Sequence, residues 1–289
     1  MTEPWTVGRV VRWAADDFRA RGMENPRLEA ELMLAHALAI ERMRVIVEPE
    51  RPLAPDELAR YRDFIRRRRK GEPVAYIRGQ KEFYGRVFQV DARVIVPRPD
   101  TETLVETALR RTAQAKVGGR YLDLCTGSGC VAITLARERM TCQVFGVDLS
   151  NDALAVARQN SVRLGATTQV AWLGGDLFAS LPDNCRGRFD LITANPPYIP
   201  LGELDALAPD IRDFEPRLAL VGGADGLDVT RRIIAEAPRW LRPGGALAIE
   251  IGTEQASEVA RLFGEAGLGA TVVDKDYGAR DRVVSGVVP

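Results

Sequence analysis

Hydrophobic residues in the first eighty positions recur at the three- and four-residue spacing of helices. One stripe runs from Val7 to Phe18 and follows Thr6, a residue type that favours helix N-caps. A second stripe runs from Leu28 to Leu38, and a third, from Leu58 to Ile65, follows a proline and two acidic residues. These stripes predict a small helical domain over residues 1–75.

Beyond residue 75 the pattern changes to short, apolar β-like segments. Residues 76–100 surround Gly85 with such segments and end in a proline-containing loop, which predicts a linker with a β-hairpin. From 101 to 289, apolar strands alternate with helical patterns, as in a mostly parallel, doubly wound α/β sheet. The predicted strands are 121–125, 144–148, 170–173, 189–194, 246–251, 271–274 and 282–287.

Composition and charge exclude several classes of protein. Forty basic and forty acidic residues give zero formal charge, so the chain lacks the positive field that nonspecific nucleic-acid binding requires. The one histidine, His36, lies in an apolar helical segment, which excludes a Ser/His/Asp triad and a histidine-rich metal site in the C-terminal part. Without a C-x-x-C pair, a signal-peptide pattern or a long apolar run, we expect a cytoplasmic protein with no membrane partner and no metal.

The strongest local charge is the run from Arg66 to Lys70, at the end of the third helical stripe. Basic residues at a helix C-terminus are favoured by the helix dipole, so we interpret the run as a solvated helix end. The alternative is a docking patch for an acidic or RNA-associated partner.

Two predicted strands end in residues typical of a nucleoside site. Asp148 ends the second strand of the α/β region, where a carboxylate can accept hydrogen bonds from both ribose hydroxyls. Asp176 follows the third strand and can reach an adenine amino group, while Leu177 covers the ring. The first strand is followed by a glycine-containing loop whose backbone can approach a ligand closely. The candidate residues at the end of this strand and the start of the following helix are Asp123, Thr126, Gly127, Ser128 and Gly129.

The charge of this region favours one kind of nucleoside. Glycine loops also occur in turns that bind nothing, and the spacing from Gly129 to Asp148 is shared with dinucleotide enzymes. However, Asp123 beside the loop would repel a pyrophosphate and would favour a cationic ligand. S-adenosylmethionine, which carries a sulfonium charge, fits this preference.

A second motif, Asn-Pro-Pro-Tyr, follows the predicted strand 189–194. The prolines stiffen the loop and remove backbone donors, so the Asn195 side-chain oxygen and the Pro196 carbonyl can both accept hydrogen bonds. A planar nitrogen with two N–H groups can donate one to each oxygen, with Pro197 rigid beside it and Tyr198 stacked on the planar group. We therefore predict an amide or amine as methyl acceptor, although N-P-P-Y can also be a rigid turn that simply ends a strand.

The sequence resembles the HemK/PrmC protein-glutamine methyltransferases over nearly its whole length. The stretches that carry the resemblance are EPVAYIRGQKEFYG, VPRPDTETLVE, DLCTGSG, GVDLS, ANPPYI, FEPRLALVGGADGL, LRPGGALAIEIG and DYGARDRVV. The resemblance implies a seven-stranded S-adenosylmethionine-dependent methyltransferase sheet with a helical N-terminal domain that helps hold the substrate. It also implies methylation of the glutamine side-chain amide in the GGQ motif of class 1 peptide chain release factors.

The resemblance also implies roles for individual residues. Residues 125–129, Asp148 and Leu177 would line the cofactor, and residues 195–198 would hold the glutamine. One departure is Cys125, because the usual loop of the family begins with glycine at this position. With this cysteine, DLCTGSGC is similar to the motif of a related family that methylates a glutamine of a large-subunit ribosomal protein. We interpret this cysteine as a small buried residue rather than a nucleophile.

Other functions remain open at this stage. They are methylation of the ribosomal protein, N-methylation of adenine in DNA or RNA, hydride transfer with a nicotinamide cofactor, and a non-catalytic binding module. A nucleic-acid methyltransferase would require a basic target-reading face, for which the neutral chain offers little beyond the run from Arg66 to Lys70, so no direct nucleic-acid substrate is expected. A nicotinamide enzyme would require an acid/base pair near the sheet, which the pattern does not supply.

Overall fold

A computed structural model describes residues 4–114 and 118–289. The chain divides into two compact units, unit 1 with Met1–Gly79 and Ala208–Phe214, and unit 2 with Gln80–Leu207 and Glu215–Pro289. The predicted helical domain begins in residues 1–3, and the predicted region from 101 to 289 includes residues 115–117; both stretches lie outside the described residues. In the described part of the chain, no helix has the length and apolar character needed to cross a membrane.

Unit 1 is helical. Its helices are α1 Val7–Ala20, α2 Pro26–Leu38, α3 Arg42–Val47, α4 Pro55–Arg69, α5 Val74–Arg78 and, ninth in chain order, α9 Pro209–Phe214. Thr6 caps α1 as expected, because its hydroxyl accepts from the Arg9 amide at 3.4 Å. Phe18, Met33 and Tyr61 are fully buried in the core of the unit. The phenol of Tyr61 donates to a carbonyl of α2, which satisfies its polar end inside the core.

The interpretation of the basic run as a solvated helix end is wrong for Arg68. This guanidinium is 6% exposed and donates to Glu29 at 2.7 and 3.1 Å, with Asp210 of α9 at 3.6 Å. On either side of it, Arg67 pairs with an acidic residue, Glu72, and Arg69 with Asp17. Burial of a charge requires such partners, and those of Arg68 lie too far away in sequence for a charge pattern to reveal them.

Unit 2 begins with a β-hairpin, β1 Gln80–Phe83 and β2 Arg86–Gln89, and continues into a seven-stranded sheet. The strands of the sheet are β3 Arg120–Leu124, β4 Gln143–Asp148, β5 Val170–Gly174, β6 Phe189–Ala194, β7 Leu241–Glu250, β8 Gly269–Lys275 and β9 Asp281–Val287. The helices of unit 2 are α6 Glu102–Arg111, α7 Cys130–Glu138, α8 Asn151–Arg163, α10 Asp228–Trp240 and α11 Ala256–Glu265. Short 3-10 helices span Pro99–Thr101, Leu177–Ser180, Asp183–Cys185, Leu201–Ala206 and Arg217–Ala219.

The order of strands in the sheet is β5-β4-β3-β6-β7-β9-β8. Strands β3 to β7 pair in parallel, and β9 pairs antiparallel with both β7 and β8. The central strands are apolar because both faces are covered, and Leu122, Leu124 and Ile192 are fully buried. The α/β fold with a mostly parallel, seven-stranded sheet is therefore confirmed.

The topology determines where a ligand can bind. From β3 the chain winds outward through β4 and β5 and then returns to β6, on the other side of β3. Loops leaving β3 and β6 therefore diverge, and a crevice opens at the carboxyl ends of these two strands. The glycine loop follows β3 and the Asn-Pro-Pro-Tyr turn follows β6, so both predicted motifs meet at this crevice.

Candidate active site

A cavity of about 200 Å³ lies at this carboxyl edge of the sheet, entirely within unit 2. The predicted site residues that line it are Asp123, Cys125, Thr126, Gly127, Ser128, Asp148, Asp176, Leu177, Asn195, Pro197 and Tyr198. Two predicted residues, Gly129 and Pro196, do not line the cavity. Gly129 lies at the start of α7, against the ring of Trp172, and Pro196 is buried. The two predicted constellations thus share one cavity.

Asp123 braces the glycine loop from within. The residue is 2% exposed, and its carboxylate accepts hydrogen bonds from the Thr126 hydroxyl at 2.5 Å and the Thr193 hydroxyl at 2.8 Å. Burial raises the pKa of the Asp123 carboxyl to about 6, although these two hydrogen bonds favour its charged form. One residue of the loop and one of β6 are thereby tied to β3, which fixes the two strands that form the crevice.

Cys125 adopts a backbone conformation that glycine normally occupies. Its φ is +55°, in the left-handed region, where a side chain is strained. This backbone geometry favours glycine, which is the residue that the resemblance leads one to expect at this position. The side chain is partly rather than fully buried, and it packs against the core while lining the cavity. Burial and the nearby Asp148 carboxylate raise the pKa of the thiol, which keeps it protonated and disfavours a nucleophilic role.

The strain at Cys125 is testable with two substitutions. We expect Cys125→Gly to be more stable than Cys125→Ala by about 1 kcal/mol, because both remove the thiol and only glycine relieves the left-handed strain. Urea unfolding of the two variants measures this difference. Equal stabilities would show that the backbone leaves the left-handed region at no cost.

Asp148 holds the loop and the next helix through its two carboxylate oxygens. Oδ2 accepts from the Gly127 amide at 2.8 Å and Oδ1 accepts from the Ser150 amide at 2.9 Å. Each carboxylate oxygen can accept two hydrogen bonds, so each retains capacity for a ribose hydroxyl. Burial raises the pKa of this carboxyl, whereas the backbone hydrogen bonds stabilise its charged form. The geometry fits a nucleoside with a free ribose diol.

Asp176 has a partner that the sequence pattern did not indicate. Its Oδ2 lies 2.7 Å from the Arg232 guanidinium of α10, and both residues line the cavity. The predicted contact with an adenine amino group would use the other oxygen, Oδ1. Leu177 beside it is buried and has a φ of +51°, so this turn is strained as well. Arg232 lies 56 positions further along the chain, so local patterns could not pair the two.

The orientation of Asn195 is set by a residue of the Pro-Arg-Pro-Asp-Thr-Glu stretch. Its amide nitrogen, Nδ2, donates to the Thr101 hydroxyl at 3.3 Å, which leaves the side-chain oxygen, Oδ1, for another partner. Tyr198 is half-buried, and burial raises the pKa of its phenol to about 12, so the ring is neutral at physiological pH. A neutral aromatic ring and a free amide oxygen are suited to an uncharged, planar acceptor.

The Gly-Gly-Ala-Asp-Gly stretch supports the same turn from outside. Gly226 has a φ of +79°, and a Cβ there would overlap the Tyr198 carbonyl oxygen. That carbonyl also accepts a hydrogen bond from the Gln255 side chain at 3.1 Å. Nearby, Arg98 pairs with the buried Glu215 at 2.6 Å, which joins two of the stretches that carry the family resemblance. These stretches surround the Asn-Pro-Pro-Tyr turn.

Comparison with known proteins identifies the family of the chain. A family model of the PrmC N-terminal domain matches residues 9–79, and a model of a methyltransferase domain matches residues 115–274. The release factor glutamine methyltransferase of Geobacter sulfurreducens is 44% identical over 98% of this chain and 97% of its own length. That of Caulobacter vibrioides is 39% identical over the same shares.

A solved structure shows the shared fold. A methyltransferase from Pyrococcus furiosus aligns with a TM-score of 0.50 at 18% identity, over 72% of this chain and 91% of its own. The methyltransferase domain match also supports the prediction of S-adenosylmethionine as the methyl donor. The family resemblance predicted from the motifs is confirmed, and the chain belongs to the release factor glutamine methyltransferases.

Proposed function

We propose that this protein methylates the side-chain amide nitrogen of the glutamine in the GGQ motif of class 1 peptide chain release factors. The observation that carries the proposal is the shared cavity, which brings Asp148 of the nucleoside site and Asn195 of the acceptor site together. The names of full-length relatives supply the substrate class, and the geometry of the cavity supplies the chemistry.

On the donor side, the residues present fit S-adenosylmethionine. Asp148 would hold the ribose hydroxyls, the amino group of adenine would meet Asp176, and Leu177 would cover the ring. When bound, S-adenosylmethionine supplies an electrophilic methyl group on a sulfonium. Asp123 keeps the loop from residue 125 to 129 in place through Thr126, so the backbone of the loop is already ordered for the ligand. These assignments are part of the proposal.

On the acceptor side, two oxygens would accept from the glutamine amide. They are Oδ1 of Asn195, which the Thr101 contact leaves available, and the backbone carbonyl of Pro196. An amide nitrogen is a poor nucleophile because its lone pair is delocalised. Acceptors placed for a pyramidal nitrogen stabilise the reacting geometry more than the resting one, so no prior deprotonation is required. Tyr198 would stack on the planar amide, and Pro197 keeps the turn rigid.

The proposal also covers the organisation of the chain. The helical N-terminal domain, predicted over 1–75, would help to hold the body of the release factor, and the methyltransferase domain would carry the chemistry. The four cysteines have no disulfide partner among the described residues, in agreement with a reducing compartment. We therefore place the protein in the cytoplasm.

Mass spectrometry of the acceptor tests the proposal. Incubation with S-adenosylmethionine and a class 1 release factor is expected to add one methyl group to the GGQ glutamine. A release factor with glutamate in place of that glutamine is the matched control and is expected to gain none. Large-subunit ribosomal protein and DNA are the competing acceptors, and transfer to either of them without transfer to the release factor would contradict the proposal.

A further inference from the structure

A buried carboxylate lies directly behind the Asn-Pro-Pro-Tyr turn. Glu250 ends β7 and is 1% exposed, and the parallel register that pairs Ala194 with Ile249 places it beside Asn195. Its Oε2 atom has no hydrogen-bond partner among the described residues. A buried carboxylate with an unmet acceptor lowers stability, so its presence at this point requires an explanation.

Thr101 connects this carboxylate with the acceptor site. Its hydroxyl accepts from Nδ2 of Asn195 at 3.3 Å and hydrogen bonds with Glu250, and the Asn195 side chain also hydrogen bonds with Glu250 directly. A hydroxyl carries one proton, and an ionised carboxylate can only accept. When Glu250 is ionised, Thr101 must therefore give its proton to Glu250 and accept from Asn195. This order turns the nitrogen of Asn195 toward Thr101 and its oxygen away from it.

We propose that Glu250 is a positioning residue that acts on Asn195 both directly and through Thr101 to present the side-chain oxygen of Asn195 to the acceptor amide. The inference rests on the proposed function, because it assigns that oxygen to the acceptor. Protonated Glu250 would instead donate to Thr101, whose hydroxyl could then donate to Asn195. The Asn195 amide would reverse and direct its own N–H groups at the N–H groups of the substrate, which is a repulsive arrangement.

The groups around Glu250 place this change near neutral pH. Burial raises the pKa of Glu250 to about 7, the guanidinium of Arg282 favours its charged form, and Asp100 opposes it. Tyr198 and Cys130 also face Glu250, and burial raises the pKa of each, so both are uncharged at neutral pH. Transfer is therefore expected to increase about tenfold between pH 6 and pH 8, as the ionised fraction of a group with this pKa increases.

Three variants test the connection. Thr101→Val keeps the branched shape without the hydroxyl, and Thr101→Ser keeps the hydroxyl. We expect Thr101→Val to lower kcat by about 10- to 100-fold and to weaken the rise with pH, because only the direct contact between Asn195 and Glu250 then remains, whereas Thr101→Ser retains the full rise. Glu250→Gln cannot ionise, so its pH profile is expected to be flat over the same range. Donor affinity and melting temperature, measured for each variant, separate this effect from a loss of fold.

A spectroscopic measurement on the unaltered protein makes the test independent of its substrate. The carboxyl carbon resonance of Glu250, assigned by its loss in Glu250→Gln, is expected to titrate near pH 7. The side-chain amide resonances of Asn195 should follow the same midpoint and lose this dependence in Glu250→Gln. If they do not follow it, or if Glu250→Gln keeps the wild-type pH profile of transfer, the inference is wrong. If both resonances titrate together but the release factor gains no methyl group, the proposed function fails and the connection stands.

Discussion

Replacing Asn195 with alanine is expected to slow methyl transfer by at least about 100-fold while the dissociation constant of S-adenosylmethionine changes by no more than a few-fold. In the proposed mechanism the side-chain oxygen faces the acceptor, because the nitrogen is already engaged by Thr101. Loss of one preorganised hydrogen-bonding group at a reacting centre lowers kcat by roughly 100- to 1000-fold. Single-turnover rates with release factor, together with calorimetry of donor binding, measure the two effects separately.

Asparagine-to-aspartate substitution at the same position is the matched control. Asn195→Asp keeps the size of the side chain and an oxygen toward the acceptor, but it replaces the donor to Thr101 with a second acceptor. We expect its rate to lie between those of the wild type and Asn195→Ala. If Asn195→Ala lost donor affinity by the same factor as transfer rate, the residue would belong to the donor site instead.

The strands of unit 2 could be predicted because their sequence carries the structural constraint directly. Strand β6 has the predicted bounds 189–194, since a strand buried on both faces is mostly apolar and this one ends at a proline turn. Strand β7 begins at Leu241 rather than at the predicted 246. Its first half contains Pro243 and two glycines, which are typical of a loop, and pairing of Leu241 with Phe189 overrides that preference.

The shortest helices could not be predicted in the same way. Helices α3, α5 and α9 have five or six residues each, too few for a hydrophobic stripe to repeat. Contacts within unit 1 stabilise them instead, and Asp210 of α9 lies near the guanidinium of Arg68. The segment Ala208–Phe214 belongs to unit 1, whose other residues lie more than a hundred positions earlier in the chain. The local sequence of the segment does not indicate this.

The residues of the candidate site also differ in whether the sequence could predict them. Residues at the carboxyl ends of strands, such as Asp148 and Asn195, could be found because parallel strands bring these ends to one edge. Thr101 and Arg232 reach the cavity from outside the sheet, and only the folded chain shows their partners. Glu250 does end a strand, so its position was a usable signal, but nothing in the sequence indicates that its carboxylate is buried behind Asn195.

Replacing Asp148 with alanine is expected to have the converse effect of Asn195→Ala. Two hydrogen bonds from ribose hydroxyls to an ionised group contribute roughly 1.5–3 kcal/mol each, so the dissociation constant of S-adenosylmethionine should increase at least about 100-fold. At saturating donor, the transfer rate of Asp148→Ala should lie closer to the wild-type rate than that of Asn195→Ala does, because Asp148 contacts the loop and α8 rather than the acceptor turn. Calorimetry of the donor and kcat at high donor concentration measure the two quantities.

Asp148→Asn distinguishes the ribose contacts from the support of the loop. Aspartate accepts from the Gly127 and Ser150 amides with one oxygen each, whereas asparagine has one oxygen and must oppose one of these amides with its own N–H group. If ribose binding dominates, the asparagine variant keeps part of the donor affinity that alanine loses. If loop support dominates, both variants lose affinity equally and both melt at lower temperature without the donor. Asp148 is the carboxylate that ends β4 and lines the cavity beside the glycine loop. An unchanged dissociation constant in Asp148→Ala would therefore show that this carboxylate does not bind the donor.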